Sequence, residues 1–264
     1  MRFQLLILAL APLGAHAGDL RFTDVSREAG VDFLQYEGRQ RGECLFRDGR
    51  ECETERMTGG AAVTDINNDG WPDLLLTRVD GSPLMLVNQQ DGTFEDRTEA
   101  HGLNAIGIPT NGAVFVDYDK DGDEDLYLTT LTNLRHLLLR LDPDGQFRVI
   151  DDAAAIASME VHAGFSIAVG DYDKDGWPDL HVNEWRVDFD GPFHTRLLRN
   201  TAMGGFEDVT VEAGVSMDDV SNQGIFTYSS SCSDLDNDGL PDLPVVADFD
   251  GSRLFWGDPG GGFV

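Results

Sequence analysis

Basic residues are scarce. Lys and Arg number 19 against 48 Asp and Glu in 264 residues, a formal net charge of −29. Nucleic-acid recognition neutralises phosphates with clustered Lys and Arg, so that class of partner is excluded. Long apolar runs are missing too. The longest spans residues 5–13, far short of the roughly 20 residues a membrane helix needs, so no transmembrane segment is expected. Cysteine is limited to Cys44, Cys52 and Cys232, which suits an oxidising compartment without demanding one. Cys44 and Cys52 flank an Asp48-Gly49 turn signal and are the expected disulfide pair. Cys232 is then left over, either as a buried free thiol or paired with a group outside this chain. A hydrophobic content of 41% is too high for a disordered acidic tail.

The first residues read as an address. Arg2 supplies a positive start, residues 5–13 an apolar stretch, and Ala15-His16-Ala17 a small-x-small cleavage site. Residues 1–17 are expected to be a signal peptide and residues 18–264 a single exported domain, secreted, on the cell surface or periplasmic.

Glycine is plentiful, at 30 residues, many of them in Asp-Gly pairs. That composition predicts many tight turns and hence many short strands. Four nine-residue segments align without gaps, at 65–73, 117–125, 171–179 and 234–242, with starts 52, 54 and 63 residues apart. Each is preceded by a small or apolar run and followed by two more runs. In three units a further run opens on Phe94, Phe147 or Phe206. Four short runs per unit, bounded by Gly, Asp and Asn, predict a small antiparallel sheet. Repetition at this period predicts an array of such sheets, so the expected fold is all-β, a β-propeller of four recognisable four-stranded blades. Between units, residues 98–102 and 210–214 suggest one capped helical turn. Residues 22–30 carry the same phrase ahead of the first unit, while the fourth run of the last unit only begins at 262–264. Two readings stand open: the opening phrase completes the last sheet, or further blades exist.

Each nine-residue segment sets carboxylates or an amide at positions 1, 3, 5 and 9 and Gly at 6. Alternation in a tight loop aims these oxygens at one centre, and Gly permits the left-handed turn that wraps the backbone around it. The candidate ligands are Asp65, Asn67, Asp69 and Asp73; Asp117, Asp119, Asp121 and Asp125; Asp171, Asp173, Asp175 and Asp179; and Asp234, Asp236, Asp238 and Asp242. Position 7 adds the backbone carbonyls of Trp71, Asp123, Trp177 and Leu240. Hard oxygen ligands in a flexible cage suit Ca2+ better than zinc, copper or magnesium, giving up to four Ca2+. The segments are not EF-hands, because position 12 is Leu76, Leu128, Val182 or Val245 rather than Glu. The first loop, with Asn67 at position 3, is expected to be the weakest site.

These loops, each following a strand, resemble the FG-GAP (VCBS-type) repeat of integrin α-chain propellers. The phrase from Phe206 to Gly214 is similar to one in bacterial relatives of cartilage acidic protein. In that fuller family an ASPIC/UnbV-type segment follows the propeller; the sequence given ends ahead of that position. The resemblance covers roughly residues 20–264. It implies an extracellular calcium-binding propeller used in adhesion or matrix contact, binding a protein or glycan.

Signs of catalysis are thin. His101, His136, His162, His181 and His194, with His16 in the leader, lack paired zinc-binding spacing and are expected on loops or blade faces. Ser166 misses the nucleophile-elbow pattern. Trp71 and Trp177 are expected to pack over their loops rather than to stack on a sugar. The expectation is a non-enzymatic binding module. The alternative is an exported polysaccharide lyase or hydrolase on a calcium-stabilised propeller, which would need Arg, Lys, His or Tyr clustered beside a groove.

Overall fold

The computed structural model describes residues 22–33, 59–79, 81–131, 135–150, 163–185, 195–217, 226–248 and 251–264. The expected leader, Cys44, Cys52, His162 and His194 lie outside the described residues.

The described chain is all-β, with one 3-10 turn, Leu103–Ala105, as its helical element. Sheet 1 joins β1 (Ala61–Thr64), β2 (Asp73–Leu76), β3 (Leu84–Asn88) and β4 (Phe94–Asp96) in that order. Sheet 2 joins β5 (Thr110–Val116), β6 (Asp125–Thr130), β7 (Leu137–Leu141) and β8 (Phe147–Val149). Sheet 3 joins β9 (Ala163–Gly170), β10 (Asp179–Trp185), β11 (Thr195–Asn200) and β12 (Phe206–Asp208). Every neighbouring pair is antiparallel.

The last unit departs from the expected four strands. β13 (Thr227–Ser230), β14 (Leu243–Ala247) and β15 (Arg253–Phe255) form a three-stranded sheet, and β16 (Gly257–Asp258) pairs separately with β17 (Gly262–Phe263). The interruption is one residue long. Trp256 exchanges both backbone hydrogen bonds with Val264, at 3.0 and 2.9 Å, so β17 runs alongside the continuation of β15 in the place of a fourth strand.

The opening phrase does not complete that last sheet. Residues 22–25 form no strand, and Phe22 is fully exposed. The turn after them instead clips onto sheet 1, where the Phe94 N–H donates to the Ala29 carbonyl at 2.8 Å. The same clip recurs from Phe147 to His101 at 3.0 Å and from Phe263 to Ala213 at 2.8 Å. Each turn therefore fastens to the strand that closes the following unit, at the first residue of β4 and β8 and the second of β17. Gly30 and Gly214 close two of these turns at φ +78° and +80°, and a Cβ on either would sit 2.8 Å from the Phe94 or Phe263 carbonyl oxygen. Glycine is needed there for conformation and for space alike.

The sheets stack face on face. β1 lies against β5, β5 against β9, and β9 against β13. Three apolar cores fill the interfaces. Leu75 and Met85 meet Leu126, Leu128 and Leu139 between sheets 1 and 2; Tyr127 and Leu138 meet Leu180, Val182 and Leu198 between sheets 2 and 3. Leu197 and Val209 meet Leu243, Val245 and Phe263 at the third. Because sheets 2 and 3 are covered on both faces, every residue of β6 and β10 is buried. Each fully buried Leu contributes about 1.5–3 kcal/mol relative to exposure.

Candidate metal centre

The four acidic loops connect β1 to β2, β5 to β6, β9 to β10 and β13 to β14, so all occupy equivalent corners of their sheets. Their local folding is written in carboxylate-to-backbone hydrogen bonds. The position-1 carboxylate accepts the N–H of Gly at position 6: Asp65 from Gly70 at 2.7 Å, Asp117 from Gly122 at 3.2 Å, Asp171 from Gly176 at 2.9 Å and Asp234 from Gly239 at 3.0 Å. The position-5 carboxylate accepts the N–H of position 7, from Asp69 and Trp71 at 2.9 Å to Asp238 and Leu240 at 2.8 Å.

Position 9 ties each loop to the third strand. Asp73 accepts from Asn88 at 2.7 Å, Asp125 from Leu141 at 2.8 Å, Asp179 from Asn200 at 2.8 Å and Asp242 from Gly257 at 2.9 Å. In three loops its other oxygen accepts the N–H of position 2: Ile66 at 2.9 Å, Tyr172 at 3.1 Å and Leu235 at 2.7 Å. Two left-handed residues bend the chain. Gly70, Gly122, Gly176 and Gly239 lie at φ +86° to +99°, as the sequence predicts. Asn68, Lys120, Lys174 and Asn237 at position 4 lie at φ 55° to 63°, a strain the sequence does not advertise for lysine.

Three loops gather carboxylates tightly. Oxygens of Asp117, Asp119 and Asp125 lie within 4.8 Å of one another, as do those of Asp171, Asp173 and Asp179, and of Asp234, Asp236 and Asp242. Positions 1, 3 and 9 thus come together. Asp121, Asp175 and Asp238 at position 5 stand outside these groups. In the first loop the Asn67 side-chain amide donates to Asp69 at 3.1 Å.

The gathered charge is poorly compensated. Asp125 and Asp179 are pushed up to about 7, first by burial, with the neighbouring carboxylates adding to it. Asp119 and Asp173 are raised for the same two reasons. Buried oxygens of Asp119 (Oδ1) and Asp171 (Oδ1) lack a hydrogen-bond partner, whereas Asp125 has the Tyr118 N–H beside it. Buried acceptor oxygens without donors, grouped on hard carboxylates, fit a cation such as Ca2+.

The lysines at position 4 reach from one loop to the next, a feature sequence reasoning missed. The Lys120 ammonium sits 4.4 Å above the Trp177 ring centroid, and Lys174 donates to the Gly239 carbonyl at 3.0 Å. Trp177 thereby meets a cation from the neighbouring loop, while Trp71 is about half exposed.

His136, in the loop before β7, and His181, on β10, take the loop and blade positions expected of the histidines. His136 and His181 are both buried. The His136 Nδ1 accepts the Thr130 N–H at 3.1 Å, so its Nε2 carries the proton and donates to Glu184 at 3.0 Å. Arg196 Nε donates to the other Glu184 oxygen at 3.1 Å. His181 Nδ1 meets the Ser230 hydroxyl at 2.8 Å, and burial draws its pKa down to about 4. Cys232 is a free, partly buried thiol, raised to about 11 chiefly by burial and further by Asp179, Asp171 and Asp242. Among the described residues, no helix is long and apolar enough to cross a membrane.

With this geometry in place, the relatives can be set beside it. A family model described as an FG-GAP-like repeat matches residues 65–128, from the first acidic loop through the second. Cartilage acidic protein 1 of Xenopus tropicalis is 26% identical over 195 residues, which are 73% of this chain and 29% of that protein. Integrin alpha-7 of Rattus norvegicus is 28% identical over 211 residues, 78% of this chain and 14% of that protein. The chain thus spans less than a third of the length of these curated relatives. Among solved structures, an Agrocybe aegerita lectin described for recognition of non-reducing terminal N-acetylglucosamine aligns over 76% of this chain and 49% of its own, at 16% identity and a TM-score of 0.44. That likeness is too loose to carry a ligand across. The repeated loops nonetheless have a counterpart in known proteins: residues 65–128 carry an FG-GAP-like repeat, in a chain similar to cartilage acidic protein 1 and integrin alpha-7.

Proposed function

We propose that this chain is an exported, calcium-binding β-propeller module of four blades that engages a protein or glycan ligand, in adhesion or a related binding role, without catalysis. The observation that supports it most is the grouping of Asp117, Asp119 and Asp125, with a buried Asp119 oxygen left without a donor, repeated at Asp171, Asp173 and Asp179 with a buried Asp171 oxygen in the same state. Residues at positions 1, 3 and 9 would hold the ion, with position 5 and the position-7 carbonyls of Trp71, Asp123, Trp177 and Leu240 completing the shell. Bound Ca2+ would supply the positive charge that cancels the mutual repulsion of these carboxylates. The first loop, with one fewer carboxylate, would bind last.

A binding role rather than an enzymatic one is favoured by where the structure keeps its reactive-looking pair. His136 and Glu184 have fully buried side chains, and Arg196 pairs with the same Glu184 carboxylate. The stack of sheets agrees with propeller blades, and the similarity to integrin alpha-7 and cartilage acidic protein 1 agrees with an extracellular binding module.

Calorimetric titration of chelator-treated protein with Ca2+ tests the metal reading. Several equivalents of heat-releasing binding are expected, reduced in Asp119→Ala; absence of any binding would sink it. A glycan and matrix-protein array, read with and without Ca2+, tests the ligand reading. Turnover of a polysaccharide in the same buffers, with no array binding, would favour the lyase or hydrolase alternative.

A further inference from the structure

The first acidic loop is satisfied from within in a way the other three are not, and two side chains account for the difference. The Asn67 Oδ1 accepts the Asp69 N–H at 3.0 Å. Asp173 and Asp236 take the N–H of Asp175 and Asp238 in the same way, at 3.2 and 3.1 Å, and each keeps a second carboxylate oxygen. Asn67 has no second oxygen. Only the oxygen of an amide side chain accepts a backbone N–H, so the atom left over is Nδ2, a donor. It turns onto the Asp69 carboxylate, at 3.1 Å from Oδ2.

A further donor comes from outside the loop. Gln90, in the turn between β3 and β4, gives its side-chain amide to the same Asp69 Oδ2 at 3.2 Å. The other Asp69 oxygen accepts the Trp71 N–H at 2.9 Å. Asp121, Asp175 and Asp238 occupy the same position in their loops. Each accepts one backbone N–H from position 7 and, among the described residues, no side-chain amide.

The third unit is a natural control for Gln90. In sheet 1 the Asn88 N–H binds Asp73, the Asn88 Oδ1 accepts the Gln90 N–H at 2.8 Å, and Gln90 lies at φ 63°. In sheet 3 the Asn200 N–H binds Asp179, the Asn200 Oδ1 accepts the Ala202 N–H at 2.9 Å, and Ala202 lies at φ 57°. The backbone of the turn is the same, and alanine offers the loop nothing.

We propose that Asn67 and Gln90 hold the first loop shut with amide donors in place of a cation, so that Ca2+ concentrations that fill the second, third and fourth loops leave the first one empty. A cation entering the first loop has to displace two N–H donors from Asp69. It also finds an amide nitrogen where the third and fourth loops keep an oxygen. The other loops gain more from an ion, because three carboxylates gather in each of them. Asn67 and Gln90 thus set how many ions the chain holds. This inference rests on the calcium reading of the other three loops.

The test compares the full chain, freed of metal with chelator, with the double variant Asn67→Asp/Gln90→Ala, which gives the first loop the side chains of the third at both places. Both positions are exposed, so circular dichroism of the variant is expected to match the parent. Calorimetric titration with Ca2+ is expected to give three equivalents in the parent, one for each gathered cluster, and one more in the variant. The latch also has a readout that needs no ion. In chelator the variant is expected to melt below the parent, because Asp69 loses both amide donors and a further carboxylate joins the loop. Four equivalents of similar affinity in the parent overturn the proposal and leave the calcium reading standing. So does a variant that binds no more Ca2+ than the parent. Equal melting temperatures in chelator overturn the latch by themselves, and absence of binding in both proteins overturns the calcium reading and this proposal together.

Discussion

Asp125 accepts the backbone N–H of Leu141 at 2.8 Å through one carboxylate oxygen, while its side chain also groups with Asp117 and Asp119, ligand oxygens within 4.8 Å of one another, and interacts with the Tyr118 N–H. One buried side chain thus ties the third strand of sheet 2 to the loop and stands among the candidate cation ligands. Truncation should register in both roles. Asp125→Ala is expected to lower stability by about 1–3 kcal/mol even in chelator, from the loss of a charge-assisted hydrogen bond, and to remove one Ca2+ from the titration. Asp125→Asn isolates the second role, with most of the stability kept and the ion lost. Denaturant unfolding beside calorimetry separates the two.

Glycine is used for different reasons in the turns and in the loops. At Gly70 a Cβ would meet nothing within 4 Å, whereas at Gly214 it would sit 2.8 Å from the Phe263 carbonyl oxygen. Gly70→Ala is expected to cost about 1 kcal/mol from the left-handed backbone alone. Gly214→Ala should cost about 2–4 kcal/mol, because the clip between the turn and β17 must also shift. Equal midpoints in urea for the two variants would contradict this.

His181 carries a pH signature with a definite sign. Its folded pKa lies near 4, pulled down by burial and only partly offset by the Glu184 charge. The unfolded value is about 6.5. Protons therefore load onto the unfolded chain first as pH falls below about 6.5, and stability drains away until about pH 4. Above 6.5 the residue contributes no slope. Stability of the parent minus that of His181→Gln is expected to be flat at neutral pH and to shrink by up to about 3 kcal/mol across that window. The subtraction cancels the buried aspartates, whose raised pKa values act in the opposite direction in metal-free protein. A difference that stays constant from pH 7.5 to 4.5 refutes the assignment.

Glu184 joins β10 to its neighbours through His136 and Arg196, with its side chain fully buried. Glu184→Gln takes the buried carboxylate away from Arg196, which keeps Asp208 at 3.5 Å, and is expected to cost about 3 kcal/mol. Restoring electroneutrality with Glu184→Gln and Arg196→Met together should recover a good part of that loss. Thermal unfolding of the single and double variants provides the comparison.

The acidic loops were legible because their signal is local. A carboxylate at positions 1, 3 and 9 and Gly at 6 fix both the hydrogen bonds and the bend within nine residues, and the flanking apolar runs became strands at Leu74, Leu126, Leu180 and Leu243. What was not legible depends on partners distant in sequence. The phrase around Ala29 reads the same whether it closes the last sheet or precedes the first, and only the bond from Phe94 decides. His136 reads as an exposed loop histidine until Glu184, itself held by Arg196, arrives from the next sheet to accept its proton-bearing nitrogen. Lys120 and Lys174 read as solvated charges, yet each reaches across to the following loop, at Trp177 and Gly239.

If these loops are cation sites that brace their own sheets, melting temperature reports it most directly. Protein freed of metal with chelator, and verified as metal-free, should melt at a markedly lower temperature than the same protein with Ca2+ at a hundredfold excess over its dissociation constant. Each occupied site then contributes about 2.7 kcal/mol. A melting temperature that does not change between the two conditions would contradict the account.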